Sequence, residues 1–563
     1  MARIVPGVQV TVVKDVVPQQ LAPSGVLGLV GVTEKSFTGS ERASSWSHFV
    51  ETVGPGTAYS MPEARQALDN GVFQIVVSPV EGATAATVSL PGVGGSAFTL
   101  TARAGGPWAN GLPVRVTSRK TARGDPLNFD LEIRRPNSSD WETHRQLSAV
   151  PGTPQYLPDV LAAASGLAVA TSAVRFVAAK TKTLKGGDTG PQTIALLDNG
   201  QGDPGANPVL TLKTVEGGPD VKVSATQGDD GAATLTLLMK AQAAADFVQL
   251  GNFQGLRFPG GEGDLLRKLK ALRDQQPKDA PYFDLEVSSA GWPLDGERTF
   301  TGGADAGADA YSDALQRLRD QPDVDMVLAA IQDFKDRDKL TRIYGDVISH
   351  CQVMSADCKG RVGLGQAPPD ATARDTVELA KTLMSDRFVL TSPPGVVGAV
   401  AGMIGSLEYY ESPTFKRVSG LGKPKVVGID DQNTLVGGGV VTVSGEPKGV
   451  VVLRGLTTDG DQINVRRVAD HAVRGVKMLG DLFIGSLNTE TGRNALKQKL
   501  SEFLLQMEKE GALVPSTDGS DPAFKVNVYS SQMDFALGIV RVDIAVRPVR
   551  AIDYIYATIQ IQV

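Results

Sequence analysis

Apolar and polar positions alternate at both ends of the chain. Near the start, Val8, Val10 and Val12 are separated by Gln9 and Thr11. At the end, Ile555, Ala557, Ile559, Ile561 and Val563 are separated by Tyr556, Thr558, Gln560 and Gln562. A period of two puts each set on one face of a pleated strand, so both ends are expected to be β-strands. A lone strand exposes a row of unpaired N–H and C=O groups, and chain ends fray unless something ties them down. Two such ends are satisfied either by the sheet of their own chain or by strand addition to a sheet of another subunit. Between them the period changes. Val26 to Val32 reads as a buried strand, Met61 to Asp69 as a helix stopped at Asn70-Gly71, and Val72 to Val77 as a second apolar strand. That βαβ order predicts parallel pairing.

Residues 1–24 form an expected N-terminal arm closed by the Pro18 to Pro23 stretch, and 25–80 the first part of an α/β core. Over 81–150, short alternating strands (Ala97 to Ala102, Leu112 to Thr117, Phe129 to Arg134) lie between Gly, Pro and Asn clusters, which reads as an inserted all-β module. Residues 151–285 read as a second inserted, surface-exposed module, with strands at Val209 to Val215 and Ala233 to Met239 and a helix near Asp264 to Asp274. Over 286–549 the α/β pattern returns as the main core and a C-terminal region. It has helices at Ala308 to Arg319, Lys335 to Cys351 and Ala371 to Ser385. Its strands are at Met326 to Ile331, Arg361 to Gln366 and Phe388 to Thr391. Val396 to Leu407 is expected as a buried helix, and Val426 to Ile429, Val440 to Val443 and Gly449 to Leu453 as strands. In Asn494 to Glu510, Leu496, Leu500, Phe503, Leu504 and Met507 make one apolar stripe. Val540, Val542, Ile544 and Val546 alternate with Arg541, Asp543 and Arg547, and 550–563 is a C-terminal strand arm. The expected fold is therefore an α/β (α+β) core with a mixed sheet, inserted all-β modules and extended strand arms at both termini.

The 563 residues allow two to four domains with cores of their own. Hydrophobic residues at 41% and charged residues at 21% are ordinary globular usage, which argues against wholesale disorder. Lys and Arg number 56 against 62 Asp and Glu, a net charge of −6. This gives no long-range pull on phosphates, so no nucleic-acid partner is expected. The longest apolar run, Val396 to Leu407, falls short of the roughly 20 residues of a membrane helix, so no direct membrane insertion is expected. Met-Ala-Arg-Ile-Val-Pro-Gly lacks a signal-peptide profile, and two cysteines make no disulfide framework. Cytoplasmic synthesis fits both.

Chemistry-bearing motifs are sparse. His48, His144, His350 and His471 stand apart from one another. His350-Cys351 with Cys358 does not have the spacing of a zinc knuckle, and buried thiols are the expectation there. No nucleophile elbow and no phosphate loop occurs. Gly363-Leu364-Gly365 is followed by Gln-Ala-Pro-Pro, where a dinucleotide turn would need a helix start. Asp323 and Asp325 read as solvated charge at a strand start. No catalytic residue, metal or cofactor is expected, and the chain is not read as an enzyme.

The order of pieces resembles the contractile tail sheath family: sheaths of contractile-tailed phages, R-type tailocins and phage-derived contractile injection systems. Pro6-Gly7-Val8 is similar to the family's opening arm, and Glu63 to Val80 to its helix, Asn-Gly turn and strand. Ala104 to Asn110 is similar to a Gly-x-Trp-Gly-Asn element, with Ala109 in place of the second Gly. Gly302 to Gly307 resembles a Gly-Gly-x-Asp-Gly turn, with Ala306 interposed. Gly449 to Thr458, Asn464 to Arg467, the helix at 494–510, Gly511-Ala512-Leu513 and two closing strands follow in family order. The serial order over about 350 residues carries the resemblance, and 151–285 has no counterpart in it.

The resemblance implies a structural subunit that assembles with copies of itself into stacked rings of a helical sheath around an inner tube protein. Baseplate and terminator (cap) proteins would close its ends. Contraction from a metastable extended state would drive the tube through a target envelope. Localisation would be a virion tail or an assembled injection particle. By position, the tube-facing helix would be 494–510, with Lys497, Gln498, Glu502 and Lys509 outward; an ordinary solvated helix face has the same pattern. Another ring- or helix-forming phage structural protein, baseplate-like, or an α/β enzyme without a recognisable motif are the alternatives.

Overall fold

The computed structural model describes residues 25–556, apart from 93–94, 121–125, 178–179, 187–189, 199–202, 229–231, 242–243, 259–261, 279–280, 288–291, 422–426 and 448. Val8, Val10, Val12, Ala557, Ile559, Ile561 and Val563 therefore lie outside the described residues.

An eight-stranded mixed sheet forms the centre. Its strands are β1 (Val26–Gly31), β2 (Glu41–Ala43), β3 (Gln74–Pro79), β4 (Met326–Ala329), β5 (Val362–Gln366), β6 (Phe388–Ser392), β7 (Val440–Glu446) and β8 (Gly449–Val452), in the order β2-β3-β1-β4-β5-β6-β7-β8. The six inner strands are parallel, and β2 and β8 close the edges antiparallel. Residues 25–80 thus join the core across an excursion of some 240 residues: Leu27 pairs with Met326 and Leu29 with Leu328. Strands β1, β4, β5 and β6 are buried at every position, as continuous apolar runs are when helices cover both sheet faces.

One face carries helices α2 (Ala308–Arg317), α3 (Arg337–Ala356), α4 (Ala373–Thr382) and α6 (Ile429–Gly437); the other carries α1 (Pro62–Asp69) and α5 (Val397–Ser406). The glycine spacing of α5 has a packing cause. A Cβ on Gly398 would sit 2.6 Å from Glu63 Cα, and one on Gly402 2.8 Å from Ala67 Cα, so α1 and α5 touch backbone to backbone. The expected strand at 426–429 is a correction over 427–429, Val426 lying outside the described residues. Ile429 opens α6 after the N-cap Gly428, with Asp430 and Asp431 in the first turn. Acidic residues in a first turn favour a helix start, and that outweighs the short apolar run before it.

The strands expected in the β module form. Pro113–Lys120, Pro126–Arg134 and Trp141–Leu147 pair in one sheet, and Thr87–Gly92 with Gly95–Ala102 in another. Ala168–Ser172 adds to the second sheet and Gly296–Thr299 to the first, so this unit draws strands from beyond residue 150. Two further four-stranded sheets and the helix Glu262–Asp274 enclose a separate apolar cluster within 174–287. Among the described residues no helix is long and apolar enough to cross a membrane.

Candidate assembly surface at the C-terminal end

Helix α7 (Ile463–Asp481) fastens the C-terminal region to the sheet with charged side chains. Asp470 accepts from Arg387 through both oxygens (Nη1 2.9 Å, Nη2 3.0 Å) and from Arg466 Nη2 (3.0 Å). Arg467 donates to the carbonyls of Leu407 (3.1 Å) and Glu408 (3.0 Å), and Arg474 to those of Val324 and Gly360. His471 stacks on Tyr409 with ring centroids 3.7 Å apart, and Tyr409 Oη donates to Glu510 (2.6 Å). Burial pushes the His471 imidazole down to about 4, so it stays neutral in this stack.

The same helix packs its other side on α8 (Glu490–Lys509). Phe503 fills the space a Cβ on Gly475 would need. Leu496, Leu500, Leu504 and Met507 are buried and Phe503 is half-buried, so the apolar stripe read from the sequence faces inward. Lys497, Gln498, Glu502 and Lys509 are all exposed. Gln498 Nε2 donates to Glu502 Oε1 (3.0 Å), and Lys499 pairs with Glu502 (3.1 Å). These two bonds hold the Glu502 carboxyl below its usual range.

Against α8 lies a hairpin of β9 (Phe524–Tyr529) and β10 (Arg541–Val546), with Val526 opposite Ile544. Val526, Val528, Val542 and Ile544 turn toward α8 and are half-buried; Lys525, Asn527, Arg541 and Asp543 face out. This is the alternation read from the sequence. Among the described residues β9 and β10 pair only with each other, so the hairpin presents two open edges. Two strands alone are marginal, and open edges are templates for further strands. At the hairpin tip, Met533 of helix α9 (Gln532–Ala536) and Leu537 after it are exposed, and the turn after α7 exposes Ile484 and Leu487, which line a groove of about 480 Å³.

The chain then returns to the root of α7. Val549 N donates to Ala512 O (2.9 Å), and Asn464 Nδ2 to Val549 O (3.0 Å). Ala551 N donates to Gln462 Oε1 (2.8 Å). Asp553 accepts from Arg454 Nε (2.7 Å) and Gln462 Nε2 (2.8 Å), and its side chain is only 7% exposed. Its neighbours are the reverse: Ile552 is 79% exposed, Tyr554 62%, Ile555 84% and Tyr556 93%. Ile555, expected in a strand arm, thus stands in solvent without strand pairing. The Arg454–Gln462–Asp553 anchor was not singled out from the sequence. One signal for it existed: Asp553 is the sole charge in Ala551 to Val563.

Elsewhere, several buried polar groups are held by structural contacts. Asp305, at the start of the core after the insertions, accepts from Ala306 N (2.9 Å), Tyr311 Oη (3.0 Å) and Lys339 Nζ (3.0 Å). His350, buried and pushed down to about 3 by desolvation and the Arg361 and Arg319 charges, lies 2.7 Å from Arg361 Nη1. Cys351 is buried, with its thiol pushed up to about 12, as expected for an inert core residue. Asp325 is not solvated charge: it is half-buried and accepts from Gly25 N and Val26 N, both at 2.8 Å. Among the described residues no three His, Cys, Asp or Glu side chains are grouped to hold a metal.

No family model and no curated protein matches the chain. Solved structures do. The sheath tail protein of Listeria innocua is 12% identical, with 94% of this chain and 93% of that one covered and a TM-score of 0.44. The sheath tail protein of Desulfitobacterium hafniense is 10% identical, with 92% and 93% covered and a TM-score of 0.39. The sheath complex of the PVC extracellular contractile injection system, in its contracted state, is 17% identical, with 46% and 77% covered and a TM-score of 0.38.

Proposed function

We propose that this chain is the subunit of a contractile sheath, a structural protein that polymerises helically around an inner tube. The observation that carries this reading is the presence of two unfinished features among the described residues of the C-terminal region: a hairpin with both edges open and the segment Ile552 to Tyr556, whose apolar side chains are exposed. Each satisfies the other when the end of one copy adds to the hairpin of the next. The serial motif order, from the Asn-Gly turn of 70–71 to the closing strands, supports it. Each added strand brings several backbone hydrogen bonds, each worth about 0.5–1.5 kcal/mol net, so neighbours stay joined while rigid cores turn. Contraction would draw on new contacts between copies rather than on nucleotide hydrolysis. The outward face of α8, with Lys497, Gln498, Glu502 and Lys509, would meet the inner tube, a polar contact suited to release. Baseplate and cap proteins would complete the particle.

Electron microscopy of the concentrated full chain tests the reading. Hollow tubes or short rings are expected. Removing 1–17 or 554–563 is expected to leave the thermal transition in place and abolish the polymers. Normal tubes from either truncated chain, or closed shells from the full one, would refute it.

A further inference from the structure

The loop that covers the outer edge of β8 holds a phenylalanine where the backbone calls for glycine. Residues 415–418 run antiparallel to β8: Val418 N donates to Val450 O (3.0 Å), and Arg417 bridges to Val451. At Val452 this ladder is bulged. Phe415 N donates to Val452 O (2.8 Å) and Val452 N to Lys416 O (2.9 Å), so two residues oppose one. Lys416 N also closes a turn onto Pro413 O (3.1 Å). Phe415 is thus the third residue of a turn and the first of a bulge, and its φ is +58°. Both positions favour glycine, because in the left-handed region a Cβ is crowded against a backbone carbonyl. Among the described residues the non-glycine positions with positive φ are Asn137, Gln146, Cys358 and Phe415, and Phe415 is the bulkiest of them. The conformation is imposed from its surroundings. Gly455 N (3.2 Å) and Ser412 Oγ (3.0 Å) both donate to Thr414 Oγ1, and Pro413 fills the space a Cβ on Gly455 would need. Burial of the ring does not offset the strain, since Phe415 is 64% exposed. A bulky residue held in this way, with its side chain in solvent, points to a role outside its own fold.

We infer that the Phe415 ring docks on a second copy of this chain. Its place in the fold selects that partner. Thr414 Oγ1 donates to Asp553 Oδ1 (3.4 Å), so the strained turn adjoins the last described segment, where Ile552 and Tyr554 are exposed as well. Tyr556 is three residues beyond Asp553, at most about 10 Å of extended chain. A copy that receives the residues after Tyr556 therefore has to come close to the Phe415 turn. This inference rests on the strand-exchange reading above and adds to it a contact made by the folded part of the chain. An aromatic side chain on a backbone fixed beforehand is suited to such a contact, because little is left to be ordered when the partner arrives.

The test uses the full chain with Phe415→Gly, Phe415→Ala or Phe415→Leu. In the dilute, unassembled state Phe415→Gly is expected to melt above Phe415→Ala. That reverses the usual order of the two residues, because only glycine relieves the turn. Both are expected to raise the critical concentration for polymers, followed by sedimentation, at least about tenfold, and Phe415→Leu to stay within about threefold of the unaltered chain. The alanine variant melting above the glycine variant would show that the turn is not strained. Assembly of either one at the unaltered concentration would show that the ring meets no second copy. Each of these results overturns the inference. The chain lacking 554–563 separates it from the reading it rests on. If Phe415→Gly assembles normally and the shortened chain does not, this contact alone is refuted. If the shortened chain assembles and Phe415→Gly does not, strand exchange is refuted and the contact stands. No polymer from the unaltered chain would refute both.

Discussion

The central sheet and the terminal hairpin are built from the same kind of strand and finished in opposite ways. In the sheet, β1, β4, β5 and β6 have neighbours on both edges and helices on both faces, and no position is exposed. In the hairpin, β9 and β10 have one neighbour each among the described residues, one covered face, and apolar residues that are only half-buried. Among the described residues the central strands are paired on both edges and the hairpin strands on one. The buried apolar residues are therefore concentrated in the core, and under the proposed reading the hairpin is where other copies would join; α7 ties the two parts together with the Arg387–Asp470 pair as well as with Ile463, Val468 and Ala472.

The contrast breaks most visibly if a core side chain is shortened. Leu364→Ala, in the fully buried β5, is expected to cost about 2–5 kcal/mol in denaturant unfolding. Gly402→Ala comes next. The new methyl meets Ala67 across the α1–α5 contact, and a loss of about 1–3 kcal/mol is expected in the same measurement, with the helices pushed apart.

Glu63 sharpens the comparison through pH. It is buried on α1, its Oε2 has no hydrogen-bond partner among the described residues, and desolvation pushes its carboxyl up to about 7. The unfolded chain releases this proton near its ordinary value of 4.5 and the folded chain only near 7. Folding therefore binds the proton across that window, so stability falls as pH rises from about 4.5 to 7 and levels off above. Glu63→Gln is expected to flatten that slope and to raise stability at pH 8 by about 1–3 kcal/mol. An unchanged slope in thermal melts from pH 4.5 to 8 would contradict it.

The smallest effect is expected in the hairpin. Val542→Ala removes two half-buried methyl groups and should cost the unassembled chain below about 1 kcal/mol. Its larger consequence should be in polymer formation, measured by sedimentation, because the apolar face of β10 is what an added strand would extend.

Much of this was legible in the residues. Continuous apolar runs gave the core strands and period-two runs those of the module and hairpin; Leu496, Leu500, Leu504 and Met507 gave the buried side of α8; Asn70-Gly71 gave the end of α1. Val426 to Ile429 misled, because a short apolar run is ambiguous and the acidic first turn of α6 decided the matter. Asp325 misled as well: a charge beside a strand reads as solvated until two amides some 300 residues away are found to need it.

What the sequence determined by itself is local: which stretches are helix or strand, and which side of each is apolar, because periodicity is set by backbone geometry. What only the tertiary structure decided is who meets whom. Leu27 lies beside Met326, Gly402 against Ala67, and Asp553 between Arg454 and Gln462. Those partners are separated by tens to hundreds of residues, and no spacing rule along the chain encodes them. They follow from the packing that covers both faces of the sheet.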